Sequence, residues 1–350
     1  MKVIVDAMGG DNAPQSNVQG ALNAIKAYGV EVVLVGNGET ILECLKGLGM
    51  ENLPKGLEIA HASEVVTMED DPATAFRRKK DSSLTVGLEL LNNGAGDAFV
   101  SAGSTGALLS AATLMTKRIK GIRRAAMAPV VPTGNGGAVL IDCGANAECT
   151  PEYLLQFAYM GSYYAQKVLG RGQPKVGLLN IGAEPTKGTK LQKEAYLLLQ
   201  EAGEAGRINF VGNVEAREAV EGAVDVIVAD GYSGNIFLKA VEGAGLFLGR
   251  QMKRMFKKNA VTKLAAVLVS GGIKEFKALL DADAVGGTAF IGISKPVIKA
   301  HGSSNATAIQ NATRQGFTLA QSGLIGDITA NVDHMRLGEE KLLEETVEKS

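Results

Sequence analysis

The sequence predicts an α/β protein, a three-layer αβα architecture around a mostly parallel sheet. Two observations carry that prediction. Short β-branched runs alternate with longer segments of helical period along most of the chain, the rhythm of repeated strand, helix, strand units. Several runs, such as Val139-Leu140-Ile141 and Val226-Ile227-Val228, are apolar at every position, as expected of strands that helices cover on both faces. With 350 residues, 46% of them hydrophobic, the chain is long and apolar enough for one large or two medium packed units.

In chain order, strands are expected at 3–6, 32–36, 57–60, 97–101, 138–142, 176–180, 208–211 and 224–230. Asp71-Pro72 reads as an N-cap followed by proline at the first helical position, and Thr150-Pro151 opens a helix over 152–169 in the same way. A helix over 246–258 places Leu248, Met252, Met255 and Phe256 on one side, with Arg250, Lys253, Arg254, Lys257 and Lys258 over much of the rest. Together with 261–269 it predicts an amphipathic hairpin near 244–270. Residues 1–330 are expected to form one α/β catalytic unit, a two-lobed arrangement being left open, and 331–350 a charged helical tail.

Composition removes several classes of function. A net charge of −1 leaves no global field to hold a polyanion, so nucleic acid is not an expected partner. Cys44, Cys143 and Cys149 make no C-x-x-C pair, and an odd count argues against a disulfide framework, which fits a reducing cytoplasm. The three histidines, His61, His301 and His334, are not spaced as a metal set, and neither a metal nor another cofactor is expected. No apolar run approaches the ~18 residues of a membrane span, and the N-terminus enters a strand pattern without a leader-like segment. Glycine is the outlier, 44 residues against a usual share of about 7%, so many tight turns and close backbone approaches are expected.

The chemistry is expected at strand ends, because ligands of open α/β sheets collect outside the carboxyl ends of the strands. Ser101-Ala102-Gly103-Ser104-Thr105-Gly106, arriving after Ala98-Phe99-Val100, reads as strand, glycine turn and helix start. Glycines at 103 and 106 let backbone N–H groups approach a ligand, Ser101, Ser104 and Thr105 add hydroxyls, and the helix start favours an anion. A phosphate is therefore expected here; the spacing is neither the dinucleotide nor the Walker form, so the turn alone specifies neither a dinucleotide nor ATP. Asp6, Gly9 and Gly10 follow the first strand, Asn146 follows the fifth, Asn180 the sixth, and Asp230, Ser233 and Gly234 the eighth. Each such turn alone is ordinarily a cap. Jointly they describe one cleft of amides and hydroxyls suited to an oxyanion and a polar acyl group. No G-x-S-x-G elbow or Cys–His pairing is evident, so no protein nucleophile is indicated. Lys187, at the head of an expected helix with Lys190 one turn later as an alternative, and Asn235, opening another helix, are donors of the type needed to stabilise an attacked carbonyl.

Seven ordered motifs then match one family. Asp6-Ala7-Met8-Gly9-Gly10-Asp11 with Ala13-Pro14, Arg77-Arg78-Lys79-Lys80 with Ser82-Ser83, the 101–107 turn, Gly144-Ala145-Asn146, Gly212-Asn213-Val214-Glu215-Ala216-Arg217, Asp230-Gly231-Tyr232-Ser233-Gly234-Asn235 and Lys299-Ala300-His301-Gly302-Ser303-Ser304 resemble the bacterial phosphate acyltransferases of phospholipid synthesis, the PlsX family. The resemblance implies transfer of a long-chain acyl group from acyl carrier protein to inorganic phosphate, giving an acyl phosphate. It also implies a fold similar to the isocitrate/isopropylmalate dehydrogenases and phosphotransacetylases, a homodimer, and peripheral attachment to an anionic membrane beside a glycerol-3-phosphate acyltransferase. Lys187 and Asn235 fall on positions associated with the family's catalysis, with His301 as a further candidate. Asn12 stands where histidine is common and Cys143 where an aliphatic residue is common. Arg78, Arg123 and Arg124, in the densest basic segments, are the expected carrier-protein contacts, and Leu264, Val267 and Leu268 the expected membrane contacts. A short-chain transferase using coenzyme A thioesters, a dehydrogenase on the same fold and a non-enzymatic carrier scaffold are the alternatives.

Overall fold

Apolar β-branched runs form the strands, and helices then cover them from both sides. The computed structural model describes residues 1–280 and 286–336. In chain order the strands are β1 (Lys2–Asp6), β2 (Glu31–Gly36), β3 (Leu57–His61), β4 (Ala98–Ser101), β5 (Ala126–Ala128), β6 (Val130–Val131), β7 (Ala138–Ile141), β8 (Lys175–Asn180), β9 (Asn209–Glu215), β10 (Val226–Val228), β11 (Thr288–Ile291) and β12 (Val297–Lys299). Among the described residues they make two sheets, ordered β3-β2-β1-β4-β12-β11-β5 and β6-β7-β10-β8-β9. Strands β1, β2, β3, β4 and β12 run parallel, and so do β7, β10, β8 and β9, while β11 and β6 pair antiparallel with their neighbours.

The three layers are visible within single strands. On β1, Val3 and Val5 pack with Val18 and Ala21 of α1 (Gln15–Tyr28), whereas Ile4 packs on the opposite face. There it meets Leu84 and Leu88 of a helix that follows α2 (Gly38–Gly47) and the one-turn α3 (Ala75–Arg78), namely α4 (Ser83–Asn92), and Leu108 of α5 (Thr105–Ala111). The second sheet repeats the plan. Val139, Ile141, Val226 and Val228 face α6 (Pro151–Lys167), while Leu140 and Ile227 face the other way. The remaining helices are α7 (Lys190–Glu204), α8 (Ala216–Glu221), α9 (Gly231–Phe256), α10 (Ala260–Leu268), α11 (Ser270–Leu280), α12 (Ala306–Gln321) and α13 (Leu324–Ala330).

Several expectations are corrected in detail. The helix expected after Asp71 starts at Ala75, because Asp71 instead caps a preceding turn, accepting from Ala73 N–H at 3.0 Å and Thr74 Oγ at 2.8 Å. Lys187 lies in the loop before α7 and not on a helix. The segment 246–258 is the outer part of one continuous helix that begins at Gly231. Of that helix only Gly231, Gly234 and Phe237 are buried, and α10 has no buried residue. Leu248 and Met255 of the expected apolar stripe are exposed, as are Val261, Leu264 and Val267. Of the expected tail, Val332–Arg336 forms a short helical turn with Met335 buried, and 337–350 lies outside the described residues.

Candidate active site

Because β1, β4 and β12 are adjacent and parallel, the loops after them emerge at one edge of the larger sheet. Asp6 closes β1 there. Its Oδ1 accepts from the N–H groups of Met8 and Gly9, each at 3.0 Å, and its Oδ2 accepts from Ser101 Oγ at 2.6 Å. Ser101 Oγ in turn accepts from Gly103 N–H at 3.1 Å. Asn17 of α1 donates to the carbonyls of Asp6 and Gly9 at 2.9 and 2.8 Å, which ties the helix to the same knot. Only glycine fits at position 9, since a Cβ would stand 2.5 Å from Asp6 Oδ2 and 2.8 Å from Gly103 N. The 299–304 loop joins through Asp11 N–H donating to Gly302 O at 2.8 Å, and through Asn12 Nδ2 donating to the carbonyls of Ser303 and Ser304.

The expected phosphate turn therefore divides into frame and rim. Ser101 and Ser104 are buried, Ser104 Oγ caps α5 by accepting from Ala107 N–H, and the N–H of Gly103 is committed to Ser101. Thr105 and Gly106, in the first turn of α5, are half-buried and form the accessible rim, against which Pro72 packs. The N–H groups of a first helical turn have no partner within the helix, so the rim keeps anion-binding capacity. His301 is exposed, and its Nδ1 accepts from Ser303 N–H at 3.2 Å while bonding Ser303 Oγ at 2.8 Å, which places the ring proton of the neutral form on Nε2.

A second cluster sits at the ends of β7, β8 and β10. Asp142 is fully buried and accepts from the N–H groups of Met127, Cys143, Ala145 and Asn146 and from Asn146 Nδ2. Burial pushes its carboxyl above the usual range, against the pull of those N–H donors. Asn146 also donates to Ala125 O at 2.8 Å, so its amide is part of the frame. Helix α9 starts against this loop with Asp230 as its cap, Oδ1 accepting from Ser233 N–H and Oδ2 from Ser233 Oγ, both at 2.8 Å. The approach is so close that a Cβ on Gly234 would stand 1.9 Å from the Asp142 carbonyl oxygen. Asn235 comes next on the helix, exposed, with its Cγ 3.7 Å from where a Cβ on Gly144 would lie.

Lys187 is held by its backbone and leaves its side chain available. Its carbonyl accepts from Asn180 Nδ2 at 3.2 Å, and its N–H donates to Glu184 O at 3.0 Å. The same Glu184 carbonyl accepts from Asn213 Nδ2 at 2.8 Å, so a buried amide on β9 sets the loop that carries the lysine. Lys190, the alternative, is ion-paired with Glu194 at 3.6 Å on the outer face of α7. Neither nearby thiol is poised to attack. Burial pushes Cys149 up to about 12 and carries Cys143 above the ordinary thiol range, which keeps both protonated. Among the described residues no cluster of His, Cys, Asp or Glu is arranged to hold a metal ion.

The basic residues fall in two places. Arg78 is exposed on α3, beside the loop that packs on Gly106. Arg123 and Arg124 are exposed near the start of α6, with Arg124 over the Tyr153 ring at 5.6 Å and the Arg123 N–H donating to Gln156 Oε1 at 2.8 Å. Two residues escaped the sequence reading of the site. Asn213 gave no signal beyond its motif, and Lys299, buried at the end of β12, follows an apolar pair as an ordinary strand-end lysine would.

A profile of the family described as fatty acid synthesis protein matches residues 1–326. The phosphate acyltransferase of Alkaliphilus oremlandii is 47% identical over 336 residues, covering 96% of this chain and 98% of that protein. The chain belongs to this family. The phosphate acyltransferase of Thermoanaerobacterium thermosaccharolyticum is 43% identical over 333 residues, covering 95% and 97%. Among solved structures, a phosphotransacetylase from Streptococcus pyogenes superposes with a TM-score of 0.64 at 18% identity, covering 91% of this chain and 94% of that one. A 4-hydroxythreonine-4-phosphate dehydrogenase from Klebsiella pneumoniae follows at 0.53 and 13% identity, covering 92% and 99%. These likenesses establish the shared α/β fold that the motifs implied.

Proposed function

We propose that this family member transfers a long-chain fatty acyl group from acyl carrier protein to inorganic phosphate, forming the acyl phosphate used in membrane phospholipid synthesis. The coarse part, a phosphate acyltransferase of fatty acid synthesis, follows from family membership and from relatives at 43% and 47% identity that carry that name. The finer part rests on one observation above the others. Lys187, on a loop held through Asn180 and Asn213, and Asn235, in the first turn of α9, are exposed donor side chains on backbone that a buried frame fixes in place.

In this reading a phosphate oxygen, held at the rim of the 101–106 turn, attacks the thioester carbonyl carbon. An O–C bond forms, the carbonyl π pair moves to oxygen, and collapse of that oxyanion expels the thiolate with the C–S electrons. With a conjugate-acid pKa near ~8.5 the thiolate departs with little help from a general acid, and it then takes a proton from solvent. Lys187 offsets the repulsion between the phosphate and the growing oxyanion, and Asn235 donates to that oxygen. With its ring proton on Nε2, His301 is a further donor at the phosphate side. Arg78, Arg123 and Arg124 receive the acidic carrier. Leu264, Val267 and Leu268, with the basic residues of α9, lie on an anionic membrane, where a membrane glycerol-3-phosphate acyltransferase consumes the product from a homodimeric enzyme.

The deciding assay incubates palmitoyl carrier-protein thioester with the protein, with and without inorganic phosphate. Phosphate-dependent formation of a hydroxylamine-sensitive product is expected. Thiol release that ignores phosphate, or equal use of a short-chain coenzyme A thioester, overturns the reading.

A further inference from the structure

Lys299 is a charged side chain where an apolar one would pack. It is 7% exposed, and among the described residues it makes no ion pair. Its ammonium donates instead to two backbone carbonyls, Ala300 O and, at 3.5 Å, Ala102 O. Register explains the placement. Lys299 pairs with Ser101 across β12 and β4, and Ser101 bonds Asp6 across β4 and β1. An ammonium, a hydroxyl and a carboxylate therefore stand in a row at the ends of three adjacent strands, beneath the 101–106 turn. Lysine is rarely buried without a carboxylate partner, because desolvation opposes it and an apolar residue fills such a site at less cost.

We propose that Lys299 is a positioning residue of the phosphate subsite: its ammonium holds the 101–106 turn against the 299–304 loop and offsets the Asp6 and Asp11 carboxylates beneath the anion. The inference rests on the reading that phosphate binds at this turn. Asp6, on β1, and Asp11, in the loop after it, are the carboxylates that face the ammonium, with His301 two residues along the chain as the further titratable group. Without the cation, two negative charges would lie under the site of an incoming dianion. Burial lowers the ammonium to about 8, with Asp11 and Asp6 holding it up, so it is charged at neutral pH and loses its proton just above.

The test is the KM for phosphate, expressed as the concentration of its dianion so that the ligand's own titration near neutral pH is divided out, as a function of pH, with acyl carrier thioester saturating. In the wild type it should be flat near pH 7 and rise as pH passes 8. Lys299→Gln, which keeps an N–H donor but no charge, should raise the KM about tenfold at pH 7, the scale of one lost charge interaction in a partly wet site, and abolish the inflection near 8. Lys299→Arg keeps a cation that does not titrate, so its KM should stay flat to pH 9.5. Folding is followed separately by urea titration. A lysine lowered in the fold makes the protein gain stability relative to Lys299→Gln as pH rises from 8 toward 10.5. Wild-type phosphate KM in Lys299→Gln, or an unmoved inflection in Lys299→Arg, overturns the proposal. Phosphate-independent acyl transfer by the wild type removes the phosphate reading itself, and the proposal with it.

Discussion

The two halves of the candidate site are built on opposite plans. On the larger sheet Asp6, Ser101, Gly103 and Lys299 are buried and bond one another or nearby backbone. On the smaller sheet Lys187 and Asn235 are exposed; Asn180, Asn213 and its own backbone fix the Lys187 loop, and the capped start of α9, packed on the Asp142 loop, fixes Asn235. A buried network fixes shape and charge but has no free donor to offer. An exposed side chain on rigid backbone has the reverse qualities, so rate and stability should respond separately to substitution of the exposed donors and of the buried frame.

Lys187→Ala gives the largest expected effect. Removing a donor that acts mainly on the developing charge should lower kcat about 10²–10³-fold. The urea midpoint should correspond to a stability change within about 0.5 kcal/mol, as for other exposed positions. Lys190→Ala should stay near wild-type turnover, because that ammonium faces Glu194. Equal losses from the two lysines, or near-normal turnover without Lys187, would erase the contrast between the halves.

Gly234→Ala probes the frame of the second half. The new Cβ would sit 1.9 Å from the Asp142 carbonyl oxygen, so the start of α9 must shift. Overpacking of this kind costs about 1–3 kcal/mol of stability, read as a lower urea midpoint, and kcat should fall with it because Asn235 rides on the same turn. An unchanged midpoint would mean that the helix start is looser than the packing implies.

The same contrast explains what the sequence made legible. Runs such as Val32-Val33-Leu34-Val35 read as strands because burial on both faces leaves them apolar throughout. Strands β5, β6 and β11 did not, being two to four residues long, with Ala126-Met127-Ala128 scarcely distinguishable from helix or loop. Division into two sheets depends on strand order, which periodicity does not encode. At the site, strand ends located Asp6, Ser101, Asn180 and Asp230. Sequence could not say which polar atoms the frame takes up, as it does for Asn146 and the Gly103 N–H. Lys299 stayed hidden because its burial comes from the convergence of loops nearly 300 residues apart in the chain, at positions 6 to 12 and 299 to 304.

The smallest effect on the folded body is expected farthest from it. Among the described residues no helix is long and apolar enough to cross a membrane. Yet α10 leaves Leu264 at 62% and Leu268 at 78% exposure, with Val261 and Val267 also open. Apolar side chains this exposed contribute little to folding. Beside Lys253, Arg254, Lys257 and Lys258 of α9 they match the surface of a helix that lies in an anionic lipid interface. Leu264→Glu should therefore change stability by less than about 0.5 kcal/mol while reducing flotation with anionic liposomes, since it places a carboxylate where acyl chains would be. Flotation equal to wild type would remove lipid as the occupant of this face. A shift from dimer to monomer in the same variant would show that the face packs against a second copy of the chain.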